Sequence, residues 1–365
     1  GSAQDYDNVG LQVGDADRSV SRALIALDAT PEVLHEAQRR EAALVITHHP
    51  LLFRPLNSVT ADGYVSNLTL RFAEAGIGLY SIHTNLDAAP DGVSFALADR
   101  LGLTDVGFLD GFEDTLYKLA VFVPDDAFED VRQALAEAGA GQIGDYEACA
   151  FATQGTGFFQ PGTGTDPHIG TAGGEVESAQ ERKLEVEVAR WARGEILAAL
   201  QNAHPYEEVA YDLYPVKQKN SRAGLGALGH LHEPMPLSAF LERVASRLNA
   251  DSLRYAGDPD ALVERVAVCG GAGSDFIGTA RRAGADAYVT ADLTYHQFFD
   301  VLAPDGTPQM ALIDPGHYET EALTEKLLQD WLQARFEGVE WHRTATTTSP
   351  MRTFVPAEDA GRDSS

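Results

Sequence analysis

Apolar positions along this chain fall into short unbroken runs separated by segments with helical spacing. The runs at 23–27 and Ala43-Leu44-Val45-Ile46 flank Val33, Leu34, Ala37 and Ala42, which share one face of a helix. Thr30-Pro31-Glu32 supplies that helix with a capping hydroxyl and a proline in its first turn. An unbroken apolar run predicts a parallel strand buried on both faces. The pattern recurs as a helix over 67–75 and a strand over 77–82 that stops at His83. Strand–helix alternation of this kind predicts an α/β domain.

The middle of the chain reads differently. A strand over 119–123, a helix over 126–138 and a strand over 146–153 precede a Gly-, Thr- and Pro-rich stretch at 155–174. Then come a strand of alternating charged and apolar residues over 183–188, a helix over 191–203 and a closing strand over 209–213. The order βαβ–βαβ predicts an inserted ferredoxin-like α+β module. The expected organisation is an α/β core over 1–114, the insert over 115–215, the rest of the core over 216–356 and a polar, disordered tail over 357–365. In the second part of the core, a helix over 236–248 precedes a strand over 266–269. Gly270-Gly271-Ala272-Gly273 then reads as a turn before a helix over 275–283. Strands at 288–290 and 310–313 follow. One long helix over 319–336 is expected to bury Ala322, Leu323, Leu327, Leu328, Trp331 and Leu332.

Candidate chemistry collects where strands stop. His48 and His49 end one strand. His83-Thr84-Asn85-Leu86-Asp87 ends the next, and His317-Tyr318-Glu319-Thr320-Glu321 follows the strand at 310–313. Ligands of open α/β sheets bind beyond the carboxyl ends of strands. His317 and Glu321 are four apart and share a helical face. Each motif has a plainer reading: hydrogen-bonded loop histidines, Asp87 as the cap of a helix starting near Gly92, or acids in a first helical turn. Together the three strand ends offer three imidazoles and two carboxylates, expected along one edge of one sheet. Two divalent metals sharing a carboxylate would use all five, and the mixed N/O set suits Zn²⁺, Fe²⁺ or Mn²⁺. His83 and His296 are candidates for moving protons. The glycines at 270–273 form a weaker anion-cradle candidate, and His230-Leu231-His232 a weaker chelate.

Composition narrows the function classes. Among 365 residues, 27 Lys and Arg face 55 Asp and Glu, for a formal charge of −28. That balance argues against nucleic-acid binding and against docking on an anionic membrane. No apolar run approaches the ~18 residues of a spanning helix. Cys149 and Cys269 are the only cysteines. They make neither a disulfide framework nor a thiolate zinc site, so a reducing cytoplasm is expected. The chain opens Gly1-Ser2 without Met, and a native segment is expected ahead of it.

Four stretches carry a family resemblance: Asp7-Asn8-Val9-Gly10-Leu11-Gln12-Val13-Gly14, Thr47-His48-His49-Pro50-Leu51, His83-Thr84-Asn85-Leu86-Asp87 and Gly316-His317-Tyr318-Glu319-Thr320-Glu321. In this order they resemble the Nif-three-like proteins, also labelled GTP cyclohydrolase 1 type 2 homologs. The resemblance implies a dinuclear metal site between two α/β lobes, with His48, His49, Asp87, His317 and Glu321 as ligands. It also implies a six-subunit ring with the metal sites facing an internal cavity. Gly157-Phe158-Phe159-Gln160-Pro161, Pro167-His168-Ile169-Gly170 and Ala203-His204-Pro205-Tyr206-Glu207-Glu208 resemble the PII- or CutA-like insert of longer bacterial members. The function expected first is a metal-dependent hydrolase with an unidentified small-molecule substrate. Asp87 or Glu321 would bridge the metals, and Arg54 is the nearest cation for a phosphate. The alternatives are a metal-handling or regulatory protein whose insert senses a ligand or gates the site, and a protein-interaction scaffold.

Overall fold

The computed structural model describes residues 3, 4 and 7–354, and the tail expected after Pro356 lies outside the described residues. The chain divides into two compact units. Residues 111–223 form one, and the segments before and after them together form the other. No helix among the described residues is long and apolar enough to cross a membrane. Cys149 and Cys269 are free thiols.

The discontinuous unit is mixed α/β with two sheets. The five-stranded sheet has Arg22–Ala26, Leu44–Thr47 and Gly78–Ser81 side by side and parallel, with Glu340–Arg343 beside Arg22–Ala26 and Gly10–Val13 antiparallel at the other edge. The apolar runs are covered on both faces, as their lack of alternation requires. Leu24, Val45 and Leu79 pack with Val33, Leu34 and Phe72 on one face. Ala23, Ile25 and Ile46 pack with Leu328, Leu332 and Trp341 on the other. The helix Pro31–Arg39 starts where Thr30 predicts, its hydroxyl accepting from the Val33 N–H at 3.2 Å.

The six-stranded sheet carries Leu262–Ala272, Ala287–Ala291 and Ala311–Asp314 as parallel neighbours. Two expectations change here. The strand at 266–269 does not stop at the glycines but runs through Gly270 and Gly271 to Ala272. The long helix expected over 319–336 is two helices, His317–Glu321 and Thr324–Gln333. Side-chain hydroxyls take up backbone groups at the break: Thr320 donates to the His317 carbonyl at 2.8 Å and Thr324 to the Glu321 carbonyl at 2.7 Å. The second helix buries Thr324, Glu325, Leu328 and Leu332, while Trp331 is exposed. Glu325, outside the expected apolar face, is buried and accepts the Leu27 N–H at 3.1 Å.

The unit over 111–223 has four antiparallel strands in the order Ala150–Phe159, Glu177–Ala189, Leu116–Pro124, Tyr211–Val216. The helices Phe128–Glu137 and Arg193–Ala203 cover one face, burying Leu119, Val121, Leu184 and Val186 with Val131, Leu135, Ile196 and Leu200. The strand expected to end at Thr153 continues to Phe159, pairing with Glu177–Glu181 through glycines at 155 and 157.

Candidate metal centre

The strand Leu44–Thr47 stops before His48, and the chain turns there, so neighbouring imidazoles escape the strand's alternation and serve one region. The next parallel strand, Gly78–Ser81, delivers His83 and the short helix Thr84–Asp87. His317 and Glu321 come from the helix that follows Ala311–Asp314, a strand of the other sheet. The single sheet edge expected from the sequence is therefore two sheet edges within one unit. Asp87 ends its own helix and does not cap the next one, whose N-cap is Gly92.

Three groups of side chains bring ligand atoms within 4.8 Å of one another: His48, His49 and His83; His49, His317 and Glu321; and His48, Asp87 and Glu321. Glu321 belongs to the last two. Its Oε2 is 2.7 Å from His49 Nε2 and 3.0 Å from His317 Nε2, and those two nitrogens are 3.3 Å apart. Its Oε1 is 3.7 Å from His48 Nε2, which is 3.6 Å from Asp87 Oδ1. Atoms bound to one ion at about 2.1 Å lie about 3–3.4 Å apart, so these spacings suit shared coordination. His48 is fully buried, yet its Nε2 has no hydrogen-bond partner among the described residues. An orphaned buried nitrogen is costly unless something binds it.

The other nitrogen of each imidazole is held. His48 Nδ1 bonds the Ile82 carbonyl at 2.8 Å, and His49 Nδ1 bonds Asp28 at 2.7 Å. His83 Nδ1 bonds Asp7 at 2.8 Å, and His317 Nδ1 bonds Asp292 at 2.8 Å. A carbonyl or carboxylate can only accept, so each Nδ1 carries a proton and each Nε2 is the nitrogen turned toward the cluster. Imidazoles that ligate metals are oriented this way. Asp28 and Asp292 went unnoticed in the sequence, although both lie just past strands, Arg22–Ala26 and Ala287–Ala291. Their own positions past strand ends were the available signal. Asp28→Asn is expected to weaken metal affinity by about 10–100-fold with little change in melting temperature, measured by competition with a chelating dye.

Electrostatics agree. Burial alone would lower the pKa of His49, but hydrogen bonds to Asp28 and Glu321 outweigh it and raise it to about 10. His317 rises against its burial to about 9 through Glu321 and Asp292. Burial pushes Asp87 above the usual carboxylate range. Glu321 lies well below that range despite its burial, because His317 and His49 bond it. A metal must displace the protons of His49 and His317, so affinity should rise with pH up to about 10. Calorimetry at pH 7 in buffers of different ionisation enthalpy is expected to record more than one proton released per chain.

The remaining candidates lie elsewhere. His296 is exposed and packs edge-on against Tyr295, outside all three groups. His230 and His232 join no such group, and Arg54 is exposed. Gly270 and Gly271 lie within a strand and not at a strand–helix turn. A Cβ on Gly271 would stand 2.3 Å from Glu321 Oε1, so the bare backbone makes room for that carboxylate.

The sequence profile of the Duf34/NIF3 (NGG1p interacting factor 3) family matches residues 1–350. The chain belongs to the Duf34/NIF3 family. Relatives of this NIF3 chain named GTP cyclohydrolase 1 type 2 homolog include one from Bacillus subtilis, 39% identical over 97% of this chain and 94% of the relative. Another, from Mycobacterium tuberculosis, is 43% identical over 87% of this chain and 84% of its own length. The crystal structure of a Bacillus cereus protein related to NIF3 superposes with a TM-score of 0.83 at 37% identity, covering 97% and 94% of the two chains. The NIF3 fold of this chain thus carries His and Glu groups able to hold metal ions.

Proposed function

We propose that this NIF3 chain holds two divalent metal ions, one at His49, His317 and Glu321 and one at His48, Asp87 and Glu321, and acts as a metal-dependent hydrolase. The observation that carries the reading is the shared Glu321 between two three-residue groups, beside the orphaned Nε2 of His48. The donor set contains no thiolate and fits Zn²⁺, Fe²⁺ or Mn²⁺. Metals bound there supply an acidified water and polarise a substrate oxygen. His83 keeps its Nδ1 proton on Asp7 and presents a free Nε2 able to accept a proton. Thr84 Oγ1 donates to the same Asp7 at 2.5 Å and steadies it.

A cavity of about 460 Å³ opens beside the cluster, lined by Phe53, His83, Asp292, Tyr318 and Met351 among others. Among the described residues its lining includes no Lys or Arg. That supports a small substrate without a triphosphate. For the unit over 111–223 we propose a ferredoxin-like insert of the PII or CutA kind, supported by its strand order with the first strand between the third and fourth. A cytoplasmic six-subunit ring is proposed on the family resemblance.

The test is elemental analysis of untagged protein made without added metal, followed by a screen of phosphoester, amide and purine-ring substrates with the native metal. About two metals per chain, retained through dialysis and needed for turnover, is the expected result. Readily exchanged metal with no turnover would overturn the hydrolase reading.

A further inference from the structure

The unit over 111–223 holds a cavity of its own, about 810 Å³ and larger than the one beside the imidazoles. Strand alternation puts it on the face away from the helices. Leu184 and Val186 point into the helix-covered core, so Glu181, Lys183 and Glu185 point the other way. Aromatic rings from Phe122, Phe158, Phe159 and Tyr206 give it apolar walls.

The charges in this cavity are one-sided. Among the described residues Glu181, Glu185, Glu207 and Glu208 line it beside His168 and one Lys, Lys183, whose Nζ is already 3.2 Å from Glu185 Oε1. Glu207 is occupied by the Asp166 N–H at 3.0 and 3.1 Å. Glu181 stands apart. It is 8% exposed, accepts a hydrogen bond from the Tyr206 hydroxyl at 2.9 Å, and forms no ion pair among the described residues. The strand opposite makes a recess for it, because a Cβ on Gly157 would come within 2.2 Å of its Oε2. A buried carboxylate without a counter-charge is costly, and a fitted glycine recess holds this one at the cavity wall.

We infer that this cavity binds an organic ammonium ion, its charge against Glu181 and its apolar body against Tyr206 and Phe159. The two rings lie 6.3 Å apart beside the carboxylate, and aromatic faces attract cations. The volume suits a small organic molecule rather than a bare ion. No group of three metal-ligating side chains converges there among the described residues. Phosphate-rich ligands are disfavoured because the lone ammonium is taken and the carboxylates repel them. The inference does not depend on metal or on hydrolysis at the imidazole cluster.

The test titrates the full chain with phenethylamine, tryptamine and spermidine, and with 3-phenylpropionate as the matched anion, by calorimetry and ligand-observed NMR. At least one amine should bind about tenfold or more tighter than the anion. Glu181→Gln should weaken that binding about tenfold or more while leaving metal content unchanged. Tyr206→Phe, which keeps the ring and frees the carboxylate, is the second variant should the first not fold, and is expected to shift amine affinity with the same metal content. No binding by any of the three amines, as when a second copy of the chain fills the cavity, would overturn the inference. So would equal binding of the anion, or wild-type amine affinity in both variants.

Discussion

Glu321→Gln is expected to abolish metal uptake rather than halve it. The carboxylate faces His49 and His317 through Oε2 and His48 through Oε1, so both three-residue groups lose a ligand at once. Glutamine keeps the shape but offers one oxygen, and its amide nitrogen has no lone pair for a cation. It also removes the negative charge that two divalent ions would share. The expected loss exceeds the about 100-fold upper range for removing an outer hydrogen-bond partner. His317→Ala touches one group only and is expected to leave the position at His48 and Asp87 partly filled. Elemental analysis after incubation with Zn²⁺ or Mn²⁺ and desalting separates these cases. Full metal content in Glu321→Gln would rule out a shared ligand.

Gly271→Ala should disable the same centre from a residue with no donor side chain. The new Cβ would stand 2.3 Å from Glu321 Oε1 and 3.2 Å from His317 Cε1, against both ligands of one helix. The backbone there has φ +59, which costs alanine about 1–2 kcal/mol by itself. It cannot shift freely, because its N–H donates to Thr320 Oγ1 and its carbonyl accepts from Thr290 Oγ1, both at 3.0 Å. Displacement of Glu321 is therefore expected, with metal affinity lower by about tenfold or more. Gly139→Ala is the control, since Gly139 has φ +89 and nothing within 4 Å of its missing Cβ. Both variants should lose some thermal stability and only Gly271→Ala should lose metal. Unchanged metal affinity in Gly271→Ala would refute the crowding argument.

The glycine also marks a limit of reading along the chain. Gly270-Gly271-Ala272-Gly273 looks like a turn because glycine is the commonest breaker of local structure. Here two of those glycines lie inside a strand, and a helix from farther along the chain sets its carboxylate where a side chain on Gly271 would stand. The break in the helix over 319–336 combines local bonds with one distant contact. Helical spacing continues through it, but the hydroxyls of Thr320 and Thr324 bind backbone carbonyls, and Glu325 turns inward to meet the Leu27 N–H.

Local information was enough for the parallel strands, because a run such as Ala43-Leu44-Val45-Ile46 has no polar face to give to water and must be covered on both sides. It was enough, too, to bring His48, His49, His83, Asp87, His317 and Glu321 under suspicion, since each follows a strand and strand ends are where sheets expose their ligands. What the spacing did not contain was which sheet each strand joined and which way each ring faced. His49 meets Glu321 across 272 positions of chain, His83 meets Asp7 across 76, and His317 meets Asp292 across 25. An imidazole becomes a directed ligand only when its second nitrogen is bonded, and those bonds form between segments that only the folded packing brings together.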